Sequence, residues 1–396
     1  MSVELIEVPL HVKGWGIPLP WGGLFRTAAG KLIDRFIRLQ WTANQVWHPS
    51  EHFVAPLFMD RRDYLDVHKN PFFAHADVAC WIATKDGRDV GRIAAVHDKD
   101  WEKAHGTKTG YFGFFDSIDD VEVARTLLDR AKSWLKEQGR DDMVGPFDLS
   151  TNYLAGVLVD SFDVPPGVQM PFNPPYYDAL LTSAGVSQAK DLWQWWLSTS
   201  TPIPEKVERV ADKVRKRNNI DVREMDLGNW DAEVERVLQI YNDAWEDNWG
   251  FVPMGDDEFR HLAADLKMVV QPGLALMAEI DGEPIAFCIS IKNLNQALAG
   301  LNGSLVPFGG LKLWWRLDIA KTVDTGRLIV MGVKPGYRRR GADSILFLQS
   351  HRNAKAAGWK GAEIGWTLDD NDMINRAIEA MDGTKIKTYR IYGSDL

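Results

Sequence analysis

The same strand–turn–strand pattern occurs twice in this chain, starting at residues 80 and 275 and therefore 195 residues apart. The segments CWIATKDGRDVGRIAAVH and ALMAEIDGEPIAFCISIK each place an Asp-Gly pair between two apolar runs, a combination typical of a β-hairpin. A second pair of segments, NPPYYDALLTSAG and NDMINRAIEAMDG, starts at residues 173 and 371, which are 198 residues apart. Two matches in the same order at nearly the same spacing indicate a tandem duplication.

The two halves meet near residues 200–206, STPIPEK, where two prolines interrupt the repeated pattern. We therefore predict an N-terminal extension over residues 1–35, one domain over 36–200 and a second domain over 201–396. In each half the hairpin is followed by an apolar strand, a helix, another strand, a short helix and a final strand. An apolar strand that leads through a helix into a second apolar strand is a βαβ unit with parallel, buried strands. The predicted fold class is therefore α/β, with a mixed sheet.

Charge and hydropathy restrict the classes of protein to which the chain can belong. The 396 residues carry a formal net charge of −9, which argues against general nucleic-acid binding because phosphate contacts need a broad basic face. The first ten residues, MSVELIEVPL, lack the pattern of a signal peptide. The longest uncharged window, Asn293–Leu311, contains three asparagines and four glycines and is too polar to cross a bilayer. We predict a cytoplasmic protein, and peripheral contact with the inner membrane stays open.

The cysteines and histidines predict neither a disulfide nor a metal site. Cys80 and Cys288 both lie in apolar strands, and we expect them to be small core residues in a reducing compartment. His48 and His52 are separated by a proline, and His75 fits no helical face. Because no three ligands share a plausible spacing, we predict that the protein holds no metal.

Seventeen tryptophans are an unusual number for a chain of this length. Two interpretations stay open: packing in the core and at its rim, or a surface that meets a large amphipathic substrate or a membrane. An insert at 293–326 contains the segment LVPFGGLKLWWRL, which suits an apolar chain or a bilayer edge. The insert is long enough to be a substrate lid, and the alternative is a helix that packs against the other half. Whether the segment with Trp15 and Trp21 contacts a membrane is also open.

Positive charge is concentrated in the segment GYRRRGADS, residues 336–344, between an apolar strand and a helix. The first amides of a helix have no partner within the helix, and the helix dipole is positive there. Gly341 allows a ligand to approach the backbone closely, and arginines form forked hydrogen bonds with phosphate. The turn therefore suits a pyrophosphate, with a solvated basic turn as the alternative. The chain has neither the GxxxxGK[ST] nor the GxGxxG phosphate motif.

The corresponding turn of the first half is acidic. Its sequence, SIDDVEVA, contains Asp119, Asp120 and Glu122 and no arginine. Because these carboxylates would repel a pyrophosphate, we predict that only the second half binds the cofactor. The first half is then expected to complete the substrate groove.

The order strand, R-x-x-G-x turn, helix, strand and Asn-led helix resembles the acyl-CoA-binding core of the GNAT acyltransferase superfamily. The resemblance implies tandem GNAT-like domains and acyl-CoA as donor. It also implies a bulge in the strand before the turn, where backbone groups meet the pantetheine and the thioester. The residues that it assigns to pantetheine are Met331, Gly332 and Val333, and those that it assigns to pyrophosphate are Arg338, Arg339, Arg340, Gly341, Ala342 and Asp343. Asn371 is expected either to contact the cofactor or to cap its helix.

Two features depart from the superfamily pattern. Asp343 stands where glycine or alanine is usual, and we expect its side chain to turn away and cap the helix. The usual tyrosine acid would fall near Met381, so the proton donor must come from elsewhere or be water. Tyr389 is the candidate that we select, and Tyr392 is a second possible acid. Glu246 and Glu363 are the candidate general bases. For each of these candidates a purely structural role is the alternative.

Four further segments resemble a bacterial family of duplicated GNAT-like proteins that includes ceramide synthases. They are FMDRRDYLDVHKNPFFAHADV (58–78), GPFDLSTN (145–152), NDAWEDNWGF (242–251) and EIGWTLDDN (363–371). This resemblance implies an N-acyltransferase that moves a long acyl group from acyl-CoA to the amine of a sphingoid-type lipid. A small amine or amino acid as acceptor, or a non-catalytic acyl-CoA-binding protein, are the alternatives. The oligomeric state is left open.

Overall fold

The computed structural model of the chain describes residues 2–16, 27–246, 248–267, 269–338 and 340–396. The strands are β1 Glu4–Val8, β2 Ala76–Lys85, β3 Arg88–Asp98, β4 Thr109–Ser117, β5 Asp142–Gly145, β6 Val157–Leu158, β7 Ser187–Ser198, β8 Ile220–Glu224, β9 Val270–Ile280, β10 Glu283–Lys292, β11 Thr325–Val333, β12 Gly361–Leu368 and β13 Thr384–Asp395. The α-helices are α1 Ala28–Thr42, α2 Phe58–Leu65, α3 Lys99–His105, α4 Val121–Glu137, α5 Tyr177–Ser183, α6 Glu205–Asn218, α7 Trp230–Trp245, α8 Asp256–Lys267, α9 Asn295–Leu298, α10 Gly309–Trp314, α11 Ala342–Ala356 and α12 Asp372–Ala380. A π-helical turn, Trp315–Ile319, continues α10.

The chain forms two compact units, and neither is continuous in sequence. Unit 1 contains Met1–Asp191, Leu298–Ala320 and Thr388–Leu396, and unit 2 contains Leu192–Ala297 and Lys321–Lys387. The chain thus passes from unit 1 to unit 2 within β7 and returns to unit 1 within β13. The predicted domains are continuous, and their limits stay a prediction.

In unit 1, β1, β2, β3, β4 and β5 are neighbours in that order, and residues 388–395 of β13 follow β5. Among the described pairings of this unit, β4 and β5 are the parallel pair, as the predicted βαβ unit requires. Every residue of β4 is buried, because α4 packs on one face of the sheet with its apolar stripe of Val123, Leu127 and Leu135. This apolar helix face is the 3.6-residue periodicity that the sequence shows.

Unit 2 repeats this arrangement. Its strands β8, β9, β10, β11 and β12 are neighbours in that order, and the segment of β7 from Leu192 follows β12. Within the part of unit 2 that the structure describes, β11 and β12 are the parallel pair. Helix α11 packs on this sheet through Ile345, Leu346 and Leu348. Two units with the same strand order and the same single parallel pair confirm the α/β fold class with mixed β-sheet.

The hairpin turns are the best-predicted local feature. Asp86 and Gly87 have φ of 54° and 72°, and Asp281 and Gly282 have φ of 52° and 81°. Positive φ at both central residues is what an Asp-Gly hairpin turn requires. The strand predicted after the first long helix, β5, is only four residues long and ends at Gly145, because the next residue is a proline and cannot donate to the ladder.

Among the described residues, no helix is both long enough and apolar enough to span a bilayer.

Candidate active site

Strand β11 is irregular at the place where the sequence predicts a bulge. Ser290 of β10 pairs with Leu328, but the preceding Ile289 pairs with Val330, so Ile329 is an extra residue in β11. The parallel pairing of β11 with β12 runs only from Thr325 to Leu328, although β11 continues to Val333. Beyond the bulge, the described β11–β12 register therefore leaves Met331, Gly332 and Val333 outside the parallel ladder.

The helix that follows β11 begins without a side-chain cap. Gly341 is the N-cap residue of α11, with φ of 79°, and no side chain accepts a hydrogen bond from the first turn. A Cβ atom at this position would lie 2.6 Å from Cγ1 of Val214 in α6, so glycine is required both by the backbone conformation and by the space. The first amides of a helix have no partner within the helix, so those of Ala342 and Asp343 are the candidate donors to an anion.

The arginines of the turn differ in how they are held. Nη2 of Arg338 donates to the carbonyl oxygen of Ala244 at the end of α7, at 2.7 Å, where a cation also complements the negative end of the helix dipole. Arg340 is exposed, and its guanidinium lies 5.0 Å from the ring centroid of Tyr337. Arg339 lies outside the described residues. Arg340 is therefore the described arginine of this turn with the greater freedom to reach a ligand.

Asp343 is not the helix cap that the sequence predicted. It lies in the first turn of α11, half-buried, whereas the N-cap is Gly341 and carries no side chain. The prediction that Asp343 caps the helix is wrong, because the left-handed glycine takes the N-cap position two residues earlier.

The equivalent helix of unit 1 has the opposite arrangement. Asp120 is the N-cap of α4, and its Oδ1 accepts a hydrogen bond from the amide of Glu122 at 2.9 Å. Nζ of Lys85 lies 2.9 Å from Asp120 and 3.1 Å from Glu122. The hydrogen bond from Lys85 holds the pKa of Asp120 below its usual value. Because its own carboxylate occupies this helix end, unit 1 has no open anion site there.

The end of α7 meets both the bulged strand and the arginine turn. Nε1 of Trp245 donates to the carbonyl oxygen of Met331 at 3.2 Å, and Ala244 accepts from Arg338. Glu246, the C-cap of α7, comes next and is exposed. The structure thus brings three predicted segments together: the end of β11, the turn at 338–343 and the segment with Glu246.

Glu363 lies on β12 and is buried. It pairs with Arg327 across the parallel ladder, and its Oε2 accepts a hydrogen bond from Nε2 of Gln194 at 2.9 Å. Burial raises the pKa of Glu363 above its usual value, although the nearby cations Lys387 and Arg327 oppose this shift. A carboxylate whose pKa is raised binds a proton more readily than an ordinary glutamate, which is the property that a general base uses.

The other two candidates have structural contacts. Asn371 is the N-cap of α12 and accepts a hydrogen bond from the amide of Ile374 at 3.4 Å, so the capping alternative accounts for its side chain. Tyr389 is fully buried and pairs with Leu158 in unit 1. Its burial argues against contact with a substrate from solvent, and the structure does not group it with Glu363, which belongs to unit 2.

Helix α6 was not predicted as part of the site. Val214 packs at the position of Gly341, and Nδ2 of Asn218 donates to the carbonyl oxygen of Arg340 at 2.9 Å. Its last turn is basic, with Lys216 and Arg217 exposed. The signal in the sequence was the apolar spacing of residues 207, 211 and 214 beside the cluster RKR, which places cations next to the turn.

Two internal cavities lie among the described residues, with volumes of about 60 Å³ in unit 1 and about 20 Å³ in unit 2. Ligand pockets are commonly several hundred Å³, so neither cavity has the volume for a CoA thioester. The first is lined by Arg92, Asp116 and Asp148, and burial raises the pKa of Asp116 despite its ion pair with Arg92. The helix end described above is instead open to solvent.

One described cluster could offer three ligand atoms to a metal. Nδ1 of His75 lies 3.0 Å from Asp98 and 3.5 Å from Asp100. The carboxylate of Asp98 already caps α3 through the amide of Asp100, and Lys103 pairs with Asp100. These contacts account for the cluster as a helix cap, and the absence of a metal stays a prediction.

Comparison with known proteins gives the chain its family. No family model matches the sequence. A bacterial ceramide synthase from Caulobacter vibrioides is 38% identical over 368 residues, which cover 91% of this chain and 94% of that protein. The chain belongs to the bacterial ceramide synthase family. Protein YghO from Escherichia coli K12 is 35% identical over 380 residues, covering 94% of this chain and 96% of the relative. Membership of this family makes the chain an N-acyltransferase, which sets aside a non-catalytic role.

Solved structures confirm the predicted tandem GNAT fold. A tandem GNAT protein from the clavulanic acid biosynthesis pathway matches all of this chain and 98% of its own length, with a TM-score of 0.57 and 11% identity. A GCN5-related glucosamine N-acetyltransferase region of a fungal β-N-acetylglucosaminidase matches 99% of this chain and 38% of its own, with a TM-score of 0.55 and 14% identity. At these identities the likeness concerns the fold.

Proposed function

We propose that this N-acyltransferase moves a long-chain acyl group from acyl-CoA to the amine of a sphingoid-type lipid. The observation that carries the proposal is the uncapped N-terminus of α11, at the end of a bulged strand, in a chain that is 38% identical to a bacterial ceramide synthase. The donor, the acceptor and the catalytic groups are supported by separate observations.

The donor is supported by the electrostatics of the turn. Free amides at the start of α11, the exposed guanidinium of Arg340 and the basic end of α6 all favour a dianionic group such as a pyrophosphate. The carbonyl and amide groups of 331–333 lie outside the β11–β12 ladder, as a pantetheine arm alongside the strand would need. Asp343 is the one unfavourable charge in the turn.

The chemistry needs a free amine and a stabilised oxyanion. The amine nitrogen loses a proton to a base and attacks the thioester carbonyl; the C–N bond forms, the C–S bond breaks, and the CoA thiolate takes up a proton. Backbone amides at the end of β11 are the proposed oxyanion donors. Glu363 is the stronger candidate base, because burial raises the pKa of its carboxyl group. Glu246 is the second, because it follows the residue that contacts Met331.

The acceptor is supported by the relative alone. The Caulobacter relative is a ceramide synthase, and 38% identity over nearly the whole chain favours the same kind of acceptor. A water-soluble amine or amino acid is the alternative acceptor. A lipid acceptor also implies that the enzyme meets its substrate at a membrane surface.

Thiol release tests this proposal. The purified full chain is incubated with acetyl-CoA and palmitoyl-CoA, each with a sphingoid base in micelles or with a panel of soluble amines. We expect release that requires both palmitoyl-CoA and the sphingoid base, with an amide product by mass spectrometry. Preference for acetyl-CoA, or for a soluble amine, would overturn the lipid acceptor, whereas the family assignment would stand.

A further inference from the structure

Seven large apolar side chains in one short segment of unit 1 are exposed to solvent. The described residues contain thirteen exposed large apolar side chains, and seven of them fall within 305–319. Their exposures run from 41% for Leu305 to 75% for Phe308. The seven are Leu305, Val306, Phe308, Leu311, Trp314, Trp315 and Ile319. Isolated exposed apolar residues need no explanation, but a contiguous group marks an interaction surface.

The segment is fixed to unit 1 at its base. The carbonyl oxygen of Gly303 accepts a hydrogen bond from the amide of Phe58 at 2.9 Å, and Asn302 accepts one from Gln45 at 2.8 Å. A Cβ atom on Gly303 would lie 2.5 Å from the carbonyl oxygen of Pro56, so the backbone is in close contact there. The backbone just before the exposed apolar residues is therefore packed against unit 1.

The helical part of the segment has two different sides. Leu313 and Leu317 are half-buried, whereas Leu311, Trp315 and Ile319 are exposed. Exposed residues four positions apart lie on one side of a helix. The segment therefore carries apolar side chains on its inward side and also on its outward side, which in an ordinary surface helix is polar.

The charge near this side is positive, although the whole chain carries −9. Lys312 and Arg316 lie on the helix, with Asp318 as the single acid of 305–320. Exposed Arg38 of α1 lies over the ring of Phe58, at 4.4 Å from its centroid, beside the base of the segment. Tryptophan with flanking cations is the composition that favours the headgroup region of an anionic bilayer.

We infer that residues 305–319 form a membrane-docking surface that inserts its aromatic side into a bilayer containing anionic phospholipids. This inference deepens the proposed function and rests on it, because an enzyme that acylates a lipid amine must reach that lipid at a membrane. A second copy of the chain is the competing occupant, but a self-contact would bring Lys312 and Arg316 of two copies together, whereas anionic headgroups neutralise them.

Flotation with vesicles tests the inference on the full chain. Vesicles of phosphatidylcholine alone are compared with vesicles of phosphatidylcholine and phosphatidylglycerol, and no CoA is added. We expect binding to the anionic vesicles that decreases as salt is raised. The triple variant Phe308→Ser, Trp314→Ser, Trp315→Ser is expected to lower the partition coefficient at least about tenfold. The double variant Val164→Ser, Val210→Ser removes exposed apolar side chains elsewhere and should bind normally.

A second variant keeps the test independent of folding. Lys312→Ala retains the apolar side and should weaken binding to anionic vesicles about fivefold. No vesicle binding by the native chain, or equal binding by the triple variant, would overturn the inference. So would a native dimer that the triple variant dissociates without any effect on vesicles. Thiol release with a sphingoid base in detergent micelles is measured in parallel. Activity without vesicle binding would contradict only the docking surface. Vesicle binding without activity would contradict only the proposed acceptor.

Discussion

Glu363 is a buried residue whose surroundings change the pKa of its carboxyl group. Its carboxyl group is only 6% exposed, and burial raises its pKa more than Lys387, Arg327 and Gln194 lower it. The neutral form is therefore favoured in the folded chain relative to the unfolded chain. Its contribution to stability is present at low pH and is lost as pH rises through the raised pKa of the folded state.

We predict that Glu363→Gln lowers the rate of acyl transfer by at least about a hundredfold, as expected for removal of a general base. The activity of the native enzyme should rise with pH through the raised pKa, and the variant should lack that limb. Because the variant has no carboxyl group to ionise, its free energy of unfolding should improve relative to the native chain as pH rises. pH–rate profiles and denaturant melts measure both effects.

Glu246→Gln is the matched control, since this exposed carboxylate lies at the end of α7. A loss of the acid limb in this variant and not in Glu363→Gln would transfer the role of base to Glu246.

At the scale of elements, the two helices that follow the parallel strands differ at their N-termini. Helix α4 is capped by Asp120, which is also bonded to Lys85, and α11 begins at Gly341 without a side-chain cap. A cap closes a helix end to anions and also stabilises the helix. The capped end therefore stabilises α4, and the uncapped end of α11 is where we propose that the ligand binds.

We predict that Asp120→Ala lowers the free energy of unfolding by about 1 kcal/mol and leaves CoA affinity unchanged. Asp120→Asn keeps a capping oxygen, so its free energy of unfolding should fall by only about 0.3 kcal/mol. Denaturant melts and CoA titrations of the two variants measure these quantities. A large loss of CoA affinity on substitution of Asp120 would mean that unit 1 takes part in cofactor binding.

Sequence patterns predicted those elements whose signals are local. The Asp-Gly turns, the apolar strand before the arginines and the amphipathic α4 were recognisable because turn chemistry and periodicity act over a few residues. Helix α6 was missed, because the prolines before it suggested a boundary and its apolar stripe is narrow. The role of Gly341 as N-cap was also missed, because a left-handed backbone has no side-chain signal, and Asp343 was assigned the cap instead.

Long-range pairing was outside the reach of these patterns. Most of β7, the final strand of the first repeat, belongs to unit 2, and most of β13, the final strand of the second repeat, belongs to unit 1. Pairing between strands that are distant in sequence produces no local sequence pattern. The hydrogen bonds of Arg338 to Ala244 and of Trp245 to Met331 span 94 and 86 residues. The sequence therefore predicted which segments form the candidate site, but not the contacts that bring α7 to it.

The two units that make up the molecule are alike in strand order but differ at the helix that follows the first strand of the parallel pair. Each has one parallel strand pair followed by a helix, yet only α11 has an open N-terminus with arginines nearby. We therefore expect one CoA site per chain, in unit 2. The corresponding helix end of unit 1 is already capped by the carboxylate of Asp120.

Calorimetric titration of the purified chain with CoA measures both the number of CoA sites and their affinity. We predict one site per chain, and a loss of affinity of about tenfold in Arg340→Ala without a change in thermal stability, as expected for one charge-assisted hydrogen bond to phosphate. Arg88→Ala, an exposed arginine of the unit 1 hairpin, should bind like the native chain. Two sites per chain, or an unchanged affinity in Arg340→Ala, would contradict the placement of the pyrophosphate at the start of α11.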